Sequence, residues 1–111
     1  MLNLNKDVKG TNTFGRVPSE LKYSSVLTVA AGEASITVPS SSAKWLAIFS
    51  YEPGAVVWVA VNASAIGAVG TTFTATGSEL NPVAYELNGG DVVHFLTSDV
   101  SAAMGVSLYA L

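Results

Sequence analysis

The sequence predicts an all-β chain, an antiparallel β-sandwich behind an extended N-terminal arm. Three observations carry that reading. From Ser24 onward the 111-residue chain is a succession of short runs rich in Val, Ile, Thr and aromatic residues, each bounded by Gly, Pro, Asn, Asp or Ser. No segment repeats apolar residues at i, i+3, i+4 and i+7 over three turns, the stripe that an amphipathic helix needs. Half of the residues are apolar and only 12% are charged, whereas disordered chains pair low hydrophobicity with high charge. A chain of this length forms one domain with a single modest core.

Residues 1–22 read as the arm and residues 23–111 as the sandwich domain. The arm mixes Asn, Lys, Thr and Gly with isolated apolar positions (Leu2, Leu4, Val8, Phe14, Val17), and Pro18 interrupts it. Such a segment has no core of its own and gains order only against neighbours. Eight strands are then expected: Ser24–Ala31, Ala34–Val38, Lys44–Tyr51, Ala55–Asn62, Thr72–Thr76, Val83–Leu87, Asp91–Thr97 and Ala103–Tyr109. Gly32-Glu33 predicts a tight hairpin between the first two, and Pro39 with Ser40–Ser42 separates the next pair. Glu52-Pro53-Gly54 has Pro and Gly in turn order, since Pro presets φ and Gly tolerates φ > 0. Asn88-Gly89-Gly90-Asp91 is the strongest turn signal in the chain.

Two of these strands are apolar on both faces. In KWLAIFSY one face carries Trp45, Ala47, Phe49 and Tyr51 and the other Leu46 and Ile48; in AVVWVAV, Val57, Val59 and Val61 oppose Val56, Trp58 and Ala60. The core expected from this pattern includes Leu46, Ile48, Val57, Val59, Phe95 and Leu108. A two-sheet sandwich buries one face of each strand, so the second apolar face calls for a loop, the arm or a partner to cover it.

Charge is unevenly placed. Residues 1–44 hold all five basic residues against three acidic ones, a local net of +2, and residues 45–111 hold five acidic residues and no basic one, a net of −5. A sequence pI near 4.8 is the opposite of the basic stripe a nucleic-acid binder shows. MLNLNKDVKG lacks the apolar h-region of a secretory signal peptide. The uncharged stretch Pro53–Ser78 is broken by Asn62, Ser64, Gly67, Gly70, Thr71 and Thr72, and a membrane-spanning helix needs about 20 predominantly apolar residues. Two strands joined by a loop fit it better, and neither nucleic acid nor membrane is expected as a partner.

Chemistry is sparse. With no cysteine and one histidine, a disulfide scaffold and a thiolate zinc site are excluded. Alternation places His94 with Val92 and Leu96, opposite Val93 and Phe95, as a hydrogen-bonded strand histidine. Glu52, Glu79, Glu86, Asp91 and Asp99 are scattered singly among turns, and Asp91 is expected to bind the backbone of the Gly89-Gly90 turn. Gly67, Gly70 and Gly77 match no phosphate-binding pattern. No cofactor and no enzymatic activity are expected. Trp45, Tyr51, Trp58, Tyr85 and Tyr109 offer the aromatic side chains of a sugar-stacking platform, but both tryptophans lie in the two most apolar strands, where core packing is the default.

The polar arm with KGTNTFGRVP, the eight short strands and the closing NGGDVVHFLTSDVSAAMGVSLYAL together resemble the small jelly-roll capsid decoration proteins of tailed phages, and more narrowly the staple, or cement, proteins of epsilon-fifteen-like phages. The resemblance implies a β-sandwich of jelly-roll type on the outer capsid surface of the virion, made in the host cytoplasm, that clamps neighbouring major capsid subunits without catalysis. An arm of this kind can add as a strand to a neighbour's sheet edge, with Leu2, Leu4, Val8, Phe14 and Val17 as anchors. Lys6, Lys9, Arg16 and Lys22 would face acidic capsid patches. Symmetry axes favour closed homo-oligomers, a dimer before a trimer. The competing expectation is a carbohydrate-binding β-sandwich module.

Overall fold

The computed structural model describes residues 21–64 and 78–111. They form eight strands and no helix: β1 (Leu21–Leu27), β2 (Ala34–Thr37), β3 (Lys44–Tyr51), β4 (Val57–Val61), β5 (Glu79–Leu80), β6 (Ala84–Asn88), β7 (Val92–Thr97) and β8 (Ala102–Ala110). Two four-stranded antiparallel sheets result, ordered β1-β8-β3-β6 and β2-β7-β4-β5. The all-β expectation is met. The expected strand Thr72–Thr76 lies outside the described residues, and β5 pairs with β4 through Trp58↔Leu80 and Val59↔Glu79. β1 takes in Leu21 and Lys22, which the sequence reading gives to the arm, because Leu21 pairs with Leu108 and Lys22 with Ser107.

The core lies between the sheets. Trp45, Ala47 and Phe49 of β3, Val57 and Val59 of β4, Val93 and Phe95 of β7 and Met104, Val106 and Leu108 of β8 point into it, each at the period of two that a strand imposes. The Phe49 ring meets Tyr85 edge-on at 5.3 Å and Phe95 at 6.2 Å. Val57, Val59, Phe95 and Leu108 are buried as expected. Leu46 and Ile48 are not: both are only half-buried on the outer face of β3. With both faces apolar, volume decides the orientation, and the inner face takes the large Trp45 and Phe49 with the small Ala47 between them.

The Gly32 turn is a corner, not a hairpin. β1 pairs with β8 and β2 with β7, so the chain changes sheet between them. Among the described residues, β4 and β5 are the one pair of consecutive strands that are neighbours within one sheet. At the Gly32 corner Val29 N–H donates to Asp99 O (3.0 Å) and Ala31 N–H to Thr28 Oγ1 (3.1 Å). A corner and a hairpin ask for the same turn residues, and periodicity does not separate them.

Two other turns are as the sequence reads. Ala55 N–H donates to Glu52 O at 3.1 Å, with Pro53 and a positive-φ Gly54 between them, the arrangement of a type II turn. Asp91 N–H donates to Asn88 O at 3.1 Å across Gly89-Gly90. That second turn is clamped onto residues 38–43: Gly89 N–H donates to Ala43 O (3.0 Å) and Gly90 N–H to Val38 O (2.9 Å). Trp45 Nε1 donates to Pro39 O in the same loop (2.9 Å). Two asparagines with positive φ bracket β4. Asn81 takes the Val57 N–H and donates to Ala55 O at one end, while Asn62 takes the Val92 N–H at the other.

Candidate functional site

Among the described residues no buried side-chain polar atom lacks a hydrogen-bond partner. Asp99 accepts from Val56 N–H (2.9 Å), Glu52 from Ala103 N–H (2.8 Å) and Glu79 from the Tyr85 hydroxyl (2.5 Å). Thr97, the buried polar residue of the core, donates to Val56 O and accepts from Asp99 N–H. Burial first, and the Glu79 carboxylate second, push the Tyr85 and Tyr51 hydroxyls well above the usual tyrosine range. Tyr51 donates to Pro82 O (2.7 Å), so both hydroxyls serve as donors holding the β5–β6 connection. Among the described residues no cluster of three His, Asp or Glu side chains could hold a metal ion, and no helix is long and apolar enough to cross a membrane.

Asp91 binds the turn, though not through the two glycines. Its Oδ2 accepts from Asn88 N–H (2.8 Å) and its Oδ1 from Asn62 Nδ2 (3.0 Å). The Asn62 bond first, then the Asn88 amide, hold its carboxyl below the usual 3.8. A carboxyl lowered in the folded state contributes stability above the unfolded value and loses it as pH falls through the folded one. Asp91→Asn is therefore expected to cost about 1 kcal/mol at pH 7. It should also flatten the loss of stability below about pH 4. Urea titrations of both proteins at pH 7 and at pH 3 check this; parallel acid losses in the two would contradict it.

Three surfaces remain for binding. The first is the outer face of β2-β7-β4-β5. Here Trp58, read from sequence as a core residue, is only half-buried, beside Leu80 of β5 and Leu96 of β7. One row along, Ala60 opposes His94, which opposes Ser35. His94 stands on the face the alternation assigns it, its Nδ1 at 2.7 Å from Glu33 Oε1. Nothing in AVVWVAV marks which face turns outward, because both are apolar.

The second surface is the end of the sandwich where the β1–β2, β3–β4, β5–β6 and β7–β8 connections gather. Hydrogen bonds from Val29 to Asp99 and from Asn81 to Ala55 tie these connections together. Val83 and Val100 are 76% and 85% exposed at their tips. The third is an apolar cleft of about 270 Å³ between β1 and β2, at one edge of the sandwich. The residues expected to contact a capsid, Leu2, Leu4, Lys6, Val8, Lys9, Phe14, Arg16 and Val17, lie outside the described residues. Comparison with protein-family models, with curated proteins and with solved structures finds no match to this chain.

Proposed function

We propose that the protein is a structural virion protein that decorates a phage capsid and stabilises it by clamping neighbouring major capsid subunits. The observation that carries this reading is the strand order β1-β8-β3-β6 over β2-β7-β4-β5, in which the chain changes sheet at every connection except β4–β5. It supports a jelly roll, a sandwich of two Greek keys that recurs in viral capsid domains. The exposed Val83 and Val100 supply apolar contact area without a pocket, as a protein binding a lattice needs. The arm adds apolar anchors through Leu2, Leu4, Val8, Phe14 and Val17 and basic residues through Lys6, Lys9 and Arg16. A homo-oligomer, a dimer before a trimer, would multiply each contact by its symmetry.

Deleting residues 1–20, ahead of β1, is expected to weaken attachment to purified shells on the order of tenfold at low salt while leaving the domain's melting unchanged. The difference should shrink as salt screens the basic residues over about 8–10 Å. Occupancy measured by sedimentation with shells at several salt concentrations reads both effects. Unchanged occupancy would remove the arm from the clamp.

Trp58 supports a second reading, a carbohydrate-binding module. A half-exposed indole on a sheet face beside His94, Glu33 and Ser35 has the aromatic plane and the polar groups that a pyranose ring uses. Binding to a host polysaccharide array that Trp58→Ala abolishes would move the assignment there.

A further inference from the structure

We propose that the cleft between β1 and β2 binds a small aliphatic molecule, a free chain with an uncharged, hydrogen-bonding head. This goes beyond the capsid reading and does not depend on it. It rests on an interior that the sandwich leaves accessible at one edge. Tyr23 and Ser25 of β1 pair with the buried Val106 and Met104, and cross-strand partners share a face. Both side chains therefore stand on the inner face, yet Tyr23 is 36% exposed and Ser25 is exposed as well. Opposite them, Ala34 and Ile36 of β2 pair with the buried Phe95 and Val93, and both are only half-buried. These four inward positions wall a cleft of about 270 Å³.

The floor of the cleft is the core itself, reached at Leu27, Phe95, Met104 and Val106. A concave apolar pocket with a few polar groups is the usual form of a small-molecule site, and this one lies at the small end of their range, about 300–1,000 Å³. Its space comes from Ser25 and Ala34, the small side chains of the two walls. An apolar cavity of about 150 Å³ takes up benzene, so the cleft has room for a longer ligand. Along β1 the lining runs from Tyr23 to Leu27, about 13 Å at the rise of a strand. An extended chain of about eight to ten carbons covers that length, with C–C bonds near 1.5 Å. The flexible thioether of Met104 adapts the floor to such a chain.

Charge is kept out of the cleft. Among the described residues no charged side chain lines it. Lys22, next to Tyr23 on β1, alternates to the outer face. Glu33, just ahead of β2, turns to His94 on the outer face of the other sheet, its Oε1 2.7 Å from Nδ1. The inner wall of β1 offers hydroxyls instead, those of Tyr23 and Ser25, each able to donate and accept. A charged head would lose hydration there with no opposite charge to meet it. An alcohol or ester head exchanges its water for these hydroxyls.

NMR titration of the full-length, methyl-labelled protein with the 1-alkanols from hexanol to dodecanol tests this. The expected result is saturable shifts of the Met104 and Ile36 methyl signals. Affinity should rise about fourfold per added carbon, the worth of one buried CH₂. It should level off beyond about ten carbons, where the chain outgrows the walls. Octanoate and octylammonium should bind on the order of tenfold more weakly than 1-octanol. Ser25→Leu and, from the opposite wall, Ala34→Leu should each fill the cleft and weaken 1-octanol on the order of tenfold or more, without lowering the melting temperature. The alkanol series needs no substitution and decides the matter even where a variant fails to fold. No saturable shift with any alkanol, or unchanged affinity in both variants, would overturn the proposal. So would octanoate binding as tightly as 1-octanol, or methyl shifts produced by phosphatidylcholine vesicles and not by free alkanols, because the occupant would then be a membrane acyl chain.

Discussion

Phe49→Ala is expected to lower the unfolding free energy by about 3–5 kcal/mol, the range for truncating a buried aromatic. Phe49 is 5% exposed and stands where the two sheets meet, edge-on to Tyr85 from its own sheet and to Phe95 from the facing one. Removing the ring opens a cavity against both. Neighbouring β3 and β8 are held in register from Trp45↔Ala110 to Tyr51↔Met104, so the backbone has little freedom to close it. For a domain of this size each kcal/mol shifts the melting temperature by roughly 4–8 °C. Thermal melts of Phe49→Ala beside Phe49→Leu measure the effect, with the leucine variant keeping most of the stability. A loss below about 1 kcal/mol in the alanine variant would mean that Phe49 is not the link between the sheets.

Gly89→Ala is the second large effect, and its cause is contact rather than conformation. A Cβ at residue 89 would lie 2.3 Å from Ser42 O, 3.1 Å from Pro39 O and 3.2 Å from Ser40 Cα. All three are main-chain atoms, and no rotamer change removes them. The 88–91 turn must therefore lift off the 38–43 loop, breaking the Gly89–Ala43 and Gly90–Val38 hydrogen bonds and disturbing the Pro39 carbonyl that Trp45 uses. The expected cost is about 2–3 kcal/mol. Gly54→Ala is the comparison, because that site is open and only its positive φ of 81° resists a side chain. A cost of about 1–2 kcal/mol is expected there. Urea unfolding of the two variants separates packing from backbone strain, and a smaller loss at residue 89 than at residue 54 would contradict the contact argument.

Local chemistry made most of the strands legible in sequence, while the choice of neighbour was not. Lys44–Tyr51 has the observed bounds of β3 because its alternation is bracketed by serines on one side and Glu52-Pro53-Gly54 on the other. His94 falls on the outer face because its neighbours Val93 and Phe95 are the better core residues. Where both faces of a strand are apolar, alternation marks no direction. Leu46 and Ile48 therefore turned out where burial was expected, and Trp58 turned out as well. The Gly32 corner reads as a hairpin in sequence for a related reason: turn residues report a change of direction, and which sheet receives the next strand depends on contacts such as Leu27↔Ala102 and Ala34↔Phe95, distant in sequence. The cleft between β1 and β2 follows from that corner. It has no local sequence signature, since its lining comes from β1, β2, β7 and β8 together.

The clamp reading rests on recognition of an assembled lattice and not of its separate parts. A protein that binds only the assembled state stabilises it by mass action, by about 2.7 kcal/mol per site at a free concentration one hundred times Kd. The direct measurement mixes the purified protein with undecorated phage shells and, separately, with free major capsid subunits, recording bound fraction and shell melting in each titration. The account predicts saturable binding to shells, little binding to free subunits, and a shell melting temperature that rises with occupancy until the sites are full. Equal binding to both, or shells that melt no higher when saturated, would contradict it.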